Sequence, residues 1–265
     1  MTRERTQNAM LEELIAIVRQ AGEIVNGAQQ IGRHTHEKTS AADLVTDYDL
    51  AVEQFLKEKL AALLPEALFL GEEEAEAVKG DPTRGWVFIV DPIDGTTNFV
   101  RGFHQSGISV ALIRDLVPQM AVVYDPAKDE LFAAERGKGA TLNGTPIHVS
   151  DRPLSKGLFI MGTAIYRREF LQPTMALTQQ LLERSCDYRR FGAATLDLCY
   201  IACGRAEVFF EYSLAPWDYA AGALIAQEAG AIATTLAGEP LPQIRRCSVW
   251  LANPANQHVL AELTI

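Results

Sequence analysis

The sequence predicts an α/β (α+β) protein with its helices and sheets stacked in layers, and three observations carry that prediction. The chain opens with an amphipathic helix, its middle third is strand after strand, and beyond about residue 155 strands alternate with helices. A length of 265 residues and a hydrophobic content of 48% suit one large domain. We read the chain as a single unit, 1–265, with subdomains dividing near residue 152.

Each element has its own justification. Leu11, Leu14, Ile15, Val18, Ala21 and Val25 form the apolar stripe of the opening helix. A second helix runs from about Asp47 to Leu64, through Leu50, Phe55, Leu56, Leu60 and Leu63, and Pro65 ends it. The strands "ALFLG", "WVFIV", "SGISVALI", "QMAVVYD", "ELFAAE" and "TPIHVS" follow, with "YDPAKDE" as a hairpin turn. They predict a largely antiparallel sheet. The second half reads strand "GLFIMGT", helix "REFLQPTMALTQQLLERS" started or interrupted by Pro173, helix "AATLDLCYIACG" and strand "AEVFFEY". Helix "WDYAAGALIAQEAG", strands "AIATTL" and "SVWLA", and a closing helix "PANQHVLAEL" complete it.

Composition excludes some roles. The formal net charge is -10, and no basic stripe is present to neutralise phosphates, so nucleic acid is not an expected partner. Surplus acid serves solubility, or leaves carboxylates to be neutralised by bound cations. The first residues alternate charge with apolar groups and lack the continuous apolar stretch of a signal peptide. No run is long enough to span a bilayer. Cys186, Cys199, Cys203 and Cys247 show no CxxC spacing. Cys199 and Cys203, one helical turn apart, read as small core residues, and a reducing cytoplasm fits.

The stretch "WVFIVDPIDGTTNF" concentrates the chemistry. A buried strand ends in Asp91 and Asp94, separated by Pro92 and Ile93, and Gly95 allows a tight turn. Thr96 and Thr97 then offer hydroxyl and backbone N–H groups at a possible helix start, where phosphate binds readily. Two carboxylates beside a phosphate cradle suit Mg²⁺, which shares oxygen ligands between protein and phosphate. The plain alternative is an Asp-rich turn with a helix cap. The aspartates are three apart, so an aspartyl-phosphate DxDGT motif does not fit. An EF-hand loop would need acids at alternate positions.

Other acids stand at comparable places. Glu72 and Glu73 in "GEEE" follow a strand end, and a solvated acidic loop is the alternative. Asp218 in "APWDYAAG" opens a helix, where it could simply be a cap. Asp49 lies three residues after Thr46, as in a capping box. His34 and His36 in "GRHTHEK" could pair on a metal, but a mobile polar loop is the better reading.

Together these pieces resemble the inositol monophosphatase family. The resemblance rests on "GEEE" (71–74), "DPIDGTTNF" (91–99) and "WDYAAGALIAQEAGA" (217–231). It is supported by "KTSAADLVTDYD" (38–49), "VYDPAKDELFAAERGKGATLNGTPIHVS" (123–150) and "RRFGAATLDLCYIACGRAEVFFE" (189–211). It spans nearly the whole chain, and the last stretch looks most like bacterial members. "GTTNF" favours the inositol phosphatase branch over nucleotide and histidinol phosphatase relatives, which more often carry Lys or Arg there. His104 stands where relatives often have proline.

The resemblance implies a layered αβαβα sugar-phosphatase fold and Mg²⁺-dependent hydrolysis of small phosphate monoesters, with two or three ions per site. Glu72, Asp91 and the Ile93 carbonyl would hold one ion, and Asp91, Asp94 and Asp218 a second. Two such ions, roughly 3.5–4 Å apart, steady the attacking and leaving oxygens. Thr96, with Asp49 and help from Glu72, would orient the attacking water. The Gly95 and Thr96 N–H groups would receive phosphate. Asp94, Gly192, Ala194 and Glu211 would contact the polyol hydroxyls, and Lys38 and Glu73 are further candidates near the metals. Arg189 and Arg190 lie either near the pocket or at a dimer interface. The family implies a homodimer. Inositol monophosphate leads as substrate, ahead of fructose 1,6-bisphosphate or another sugar phosphate. A regulatory, protein-binding role on the same fold is the alternative of a different class.

Overall fold

The computed structural model describes residues 2–40, 43–74 and 80–264. Ala41 and Ala42, within the supporting stretch 38–49, lie outside the described residues. Helices α1 (Thr2–Asn26) and α2 (Asp47–Leu63) flank a small hairpin of β1 (Thr35–Ser40) and β2 (Asp43–Thr46). Thr46 caps α2: its Oγ1 accepts from the Tyr48 and Asp49 N–H groups, while Asp49 reaches back to the Thr46 N–H.

A seven-stranded sheet follows in simple sequence order. Its strands are β3 (Leu68–Gly71), β4 (Trp86–Asp94), β5 (Gly107–Arg114), β6 (Val117–Asp125), β7 (Glu130–Glu135), β8 (Ala140–Leu142) and β9 (Thr145–Ile147), and helix α3 (Thr96–Arg101) lies between β4 and β5. Every pairing is antiparallel except β3 with β4. The run "VFIV" is apolar throughout because both faces are covered. Phe88 and Val90 pack with Leu14, Val18, Leu56 and Leu60 of α1 and α2. Val87 and Ile89 point the other way.

That other face meets α5 (Ala194–Ala202) and α6 (Pro216–Glu228), through Leu196, Leu198, Leu224 and Ile225. Beyond them lies a second sheet, ordered β11 (Asp187–Arg189), β10 (Leu158–Met161), β12 (Val208–Leu214), β14 (Cys247–Ala252), β13 (Ile232–Thr234). Ile160, Phe209 and Leu251 face inward, while Phe159, Phe210 and Trp250 face Leu177 and Leu181 of α4 (Leu171–Leu182). The layers therefore run helix, sheet, helix, sheet, helix, as the resemblance implied.

Several local expectations need correction. The segment expected to close as a helix forms two short 3-10 turns, Pro254–Asn256 and Val259–Glu262. Asn253 Oδ1 accepts the Asn256 N–H at 3.1 Å, and both asparagine side chains bind the Arg152 carbonyl. Such local bonds compete with helix formation. The segment around Pro173 is a helix only over Leu171–Leu182, with the proline in its first turn, where no N–H is needed. His34 and His36 do not lie in a loop. They sit in a 3-10 turn and in β1, and both contact Asp47, at 2.8 and 3.1 Å. The β1–β2 hairpin, β8 and β11 were not expected, because "THEKTS" and "DYR" are too short or too polar to show alternation. Leu50, placed on the apolar face of α2, is half exposed.

Candidate active site

The site forms where β3 and β4 end. Their parallel ladder continues one step past Gly71, where the Glu72 N–H donates to the Val90 carbonyl at 3.1 Å. That bond sets Glu72 beside Asp91. Asp91 and Asp94 are three apart, and in a regular strand they would face opposite sides. Between them the β4–β5 register slips: Asp91 opposes Ser109, but Asp94 opposes Gly107. The extra residue is a bulge, and it brings both carboxylates into one cavity. The Ile93 N–H donates to Asp91 Oδ1 at 3.1 Å and steadies the bulge.

Gly95 follows with φ of 83°. A Cβ there would stand 2.9 Å from the Gln105 carbonyl and 3.1 Å from that of Gly192, so both conformation and space call for glycine. Helix α3 then starts at Thr96. Asp218 arrives from across the molecule as the third residue of α6. Its Oδ2 accepts the Ala215 N–H at 2.6 Å, so it is a capping residue and a pocket residue together.

Glu72, Asp91, Asp94 and Asp218 thus line a single cavity of about 440 Å³. Burial pushes Asp91 far above the usual carboxylate range, with the charges of Glu72, Asp94 and Asp218 adding to it. Burial likewise raises Asp218, reinforced by Asp94 and Glu72. Asp94 is pushed up to about 6 by burial, against the lowering effect of Thr195, which donates both its N–H and its hydroxyl to Asp94 Oδ2 at 2.7 Å. Among the described residues no group of three His, Cys, Asp or Glu side chains is placed to hold a metal ion by itself. The donor set is nonetheless all oxygen and strongly anionic, which fits a hard divalent cation rather than zinc. A bound cation would remove the mutual repulsion that raises these acids.

Asp49 is 1% exposed, and burial pushes it up to about 6. Its Oδ2 binds Thr46, and its Oδ1 lies 3.3 Å from Thr96 Oγ1, which is also 3.1 Å from the Ile93 carbonyl. The structure thus gives Asp49 both the capping role and the partnership with Thr96. Lys38 Nζ binds Glu72 Oε1 at 2.9 Å and Glu73 Oε1 at 2.6 Å. Burial works against the Lys38 charge, but Glu72 and Glu73 outweigh it and raise its pKa. Burial pushes Glu73 up to about 7, so the solvated-loop reading fails for this acid.

Gly192, Ala194 and Glu211 line the same cavity. Glu211 is buried and pushed up to about 7, first by burial. It is no exposed strand-end acid. Its Oε1 accepts the Ala164 N–H at 2.8 Å, and a Cβ on Gly162 would meet Oε2 at 1.8 Å, so Glu211 supports the loop after β10. Arg190 lines the cavity and lies 3.2 Å from Thr163 Oγ1, whereas Arg189 is exposed and paired with Asp187. His104 is exposed, with φ of 53°, on the loop after α3.

Sequence reasoning missed three residues here. Asn98 Nδ2 donates to the Gln105 and Phe191 carbonyls at 2.8 Å each, tying α3 to the Gly192 loop. Thr195 clamps Asp94. Asp197 lines the cavity, its Oδ1 is buried without a partner, and burial raises it strongly, with Asp94 and Glu211 adding to the shift. Thr195 and Asp197 sit in the first turns of a helix, where such residues are common, so nothing local distinguished them.

Five alternating layers and an acid-lined cavity at a strand end define the layered sugar-phosphatase fold class. A model of the inositol monophosphatase family matches residues 6–264, and the chain belongs to that family. Its members use divalent metal ions. The chain is 37% identical over 262 residues to a protein from Neisseria meningitidis serogroup B named putative Nus factor SuhB, covering 97% of each. It is 40% identical over 236 residues to inositol monophosphatase 1 from Solanum lycopersicum, covering 85% of each. The solved structure of inositol monophosphatase from Anabaena (Nostoc) superposes with a TM-score of 0.84 at 31% identity, covering 96% of this chain and 94% of that one. No helix among the described residues is long and apolar enough to cross a membrane.

Proposed function

We propose that this protein hydrolyses inositol monophosphate and kindred polyol phosphates with Mg²⁺, as a cytoplasmic homodimer. The observation that supports this most is the convergence of Glu72, Asp91, Asp94 and Asp218 on one cavity, with the Thr96–Asp49 pair beside them. Glu72, Asp91 and the Ile93 carbonyl would hold one ion, and Asp91, Asp94 and Asp218 would hold a second. When bound, Mg²⁺ would supply charge neutralisation for the phosphate and a more acidic attacking water. Thr96 Oγ1 directs its own proton to Asp49 Oδ1 and keeps a lone pair for a proton of that water, with Glu72 assisting. The Gly95 and Thr96 N–H groups receive phosphate oxygens. Asp94, Glu211 and the backbone at Gly192 and Ala194 orient the polyol. Lys38 and Glu73 border the metal end.

The deciding experiment is phosphate release from a panel of esters at several Mg²⁺ concentrations. Inositol monophosphate should lead, fructose 1,6-bisphosphate should trail, and chelation should abolish turnover. Faster release from the bisphosphate would move the assignment to that substrate. The relative named putative Nus factor SuhB favours a second reading, a regulatory role on this fold. Absence of Mg²⁺-dependent release from every ester would leave that reading alone.

A further inference from the structure

Helix α5 lacks a cap of its own. Its N-cap is Ala193, which has no side chain able to accept a hydrogen bond. The first N–H groups of a helix need partners, and the helix dipole favours an anion there. The anion comes from a distant part of the chain. Thr195, the second residue of α5, directs its N–H and its Oγ1 to the same atom, Asp94 Oδ2, both at 2.7 Å. Thr195 is fully buried, so no solvent competes for these bonds. Its hydroxyl would stand 3.1 Å from a Cβ on Gly107, the residue that opposes Asp94 in the β4–β5 ladder. Strand, bulge and helix are therefore fitted together around one carboxylate oxygen.

The two donors have a consequence for the other oxygen. A carboxylate oxygen has two lone pairs in its plane, and Thr195 occupies both of those on Oδ2. The carboxylate can then neither rotate nor swing to bind an ion through both oxygens without giving up a buried hydrogen bond. From this geometry we infer that Thr195 is a positioning residue: it holds Asp94 so that Oδ1 alone is presented to the cavity as a one-oxygen metal ligand. The inference rests on the proposed role of Asp94 in holding the second ion. Partners that orient metal ligands commonly change metal affinity tenfold to a hundredfold when removed.

Direct metal binding tests this without relying on turnover. The metal-free protein is titrated calorimetrically with Mg²⁺ and with Mn²⁺, comparing wild type, T195V, T195S and D94N. Melting temperatures are measured in chelator alongside, and T195A replaces T195V if the valine variant does not fold. The expected result is an affinity about tenfold weaker for one ion in T195V, within about twofold of wild type in T195S, and lost for the same ion in D94N. A T195V protein that melts lower in chelator but binds metal as wild type does, while D94N loses an ion, would overturn the clamp and leave the metal site standing. Unchanged binding in D94N would instead overturn the role of Asp94 itself.

Discussion

Thr96 Oγ1 lies 3.3 Å from Asp49 Oδ1, across 47 positions of sequence, while the other oxygen of Asp49 closes the capping box of α2. One buried carboxylate therefore joins the start of a helix to the start of the proposed reaction. In the proposed mechanism Thr96 accepts from the attacking water, and Asp49 accepts the Thr96 proton and so orients that hydroxyl.

T96A is expected to lower kcat by about 10²-fold or more while KM moves little, because proton acceptance of this kind contributes roughly 10²–10⁴. D49N should act in the same direction on kcat, because asparagine is a weaker acceptor for the Thr96 hydroxyl. The double variant should be no worse than the poorer single one, since the two residues act as a unit. Steady-state kinetics with thermal melts checks this. A D49N protein that only melts lower would reduce Asp49 to a helix cap.

D91N and D218N should nearly abolish turnover and yet raise the melting temperature of the metal-free protein near neutral pH. Burial and neighbouring carboxylates make the charged form of each side chain unfavourable, and asparagine removes that charge at almost the same volume. Phosphate release and melting in chelator are the measurements. Near-normal activity in D91N would sink the two-ion assignment.

Glu211 predicts a pH dependence. Its folded pKa, about 7, lies above the ordinary glutamate value of 4.5, so the folded state binds the proton more tightly than the unfolded chain does. The stabilisation is fully present below pH 4.5 and is lost as pH rises through about 7. At roughly 1.4 kcal/mol per pKa unit it amounts to a few kcal/mol. The melting temperature of metal-free E211Q should therefore fall less between pH 5 and pH 8, on the order of those limits, than that of wild type. An equal fall in both would show that Glu211 does not titrate there.

The same variant separates recognition from chemistry. Glutamine keeps the bond to the Ala164 N–H but replaces the second acceptor with a donor. A charge-assisted hydrogen bond is worth about 1.5–3 kcal/mol, or roughly tenfold to a hundredfold in kcat/KM for inositol monophosphate. A nitrophenyl phosphate has no ring hydroxyls, and its turnover should barely change. Equal losses on both esters would place Glu211 in the catalytic machinery.

Lithium should inhibit at millimolar concentration, and added Mg²⁺ should compete with it. Li⁺ is small and hard but has half the charge, so it can replace Mg²⁺ among the carboxylates without supporting turnover. Rates measured across a grid of both ions test this, and full activity in high lithium would count against the inositol branch.

The sequence by itself determined the layers and the identity of the acids. Apolar runs such as "VFIV" mark a strand covered on both faces, and the stripes of α1 and α2 match the core they enter, because period and burial are local properties. Asp91, Asp94, Glu72 and Asp218 were legible because strand ends and helix starts leave marks in the chain and because the motifs resemble a family. Only the tertiary structure decided how those acids are held. The bulge that turns Asp91 and Asp94 to one side depends on the register of β5. The clamp of Thr195 on Asp94, the tie from Asn98 to the Phe191 carbonyl and the support that Glu211 gives Ala164 join residues 47 to 101 positions apart. A hydrogen bond is made by proximity in space, and a threonine in the first turn of a helix reads the same in sequence whether it faces solvent or a buried carboxylate. The closing segment shows the converse. Its helical pattern was present, and the side-chain bonds of Asn253 and Asn256 to a loop a hundred residues earlier overrode it.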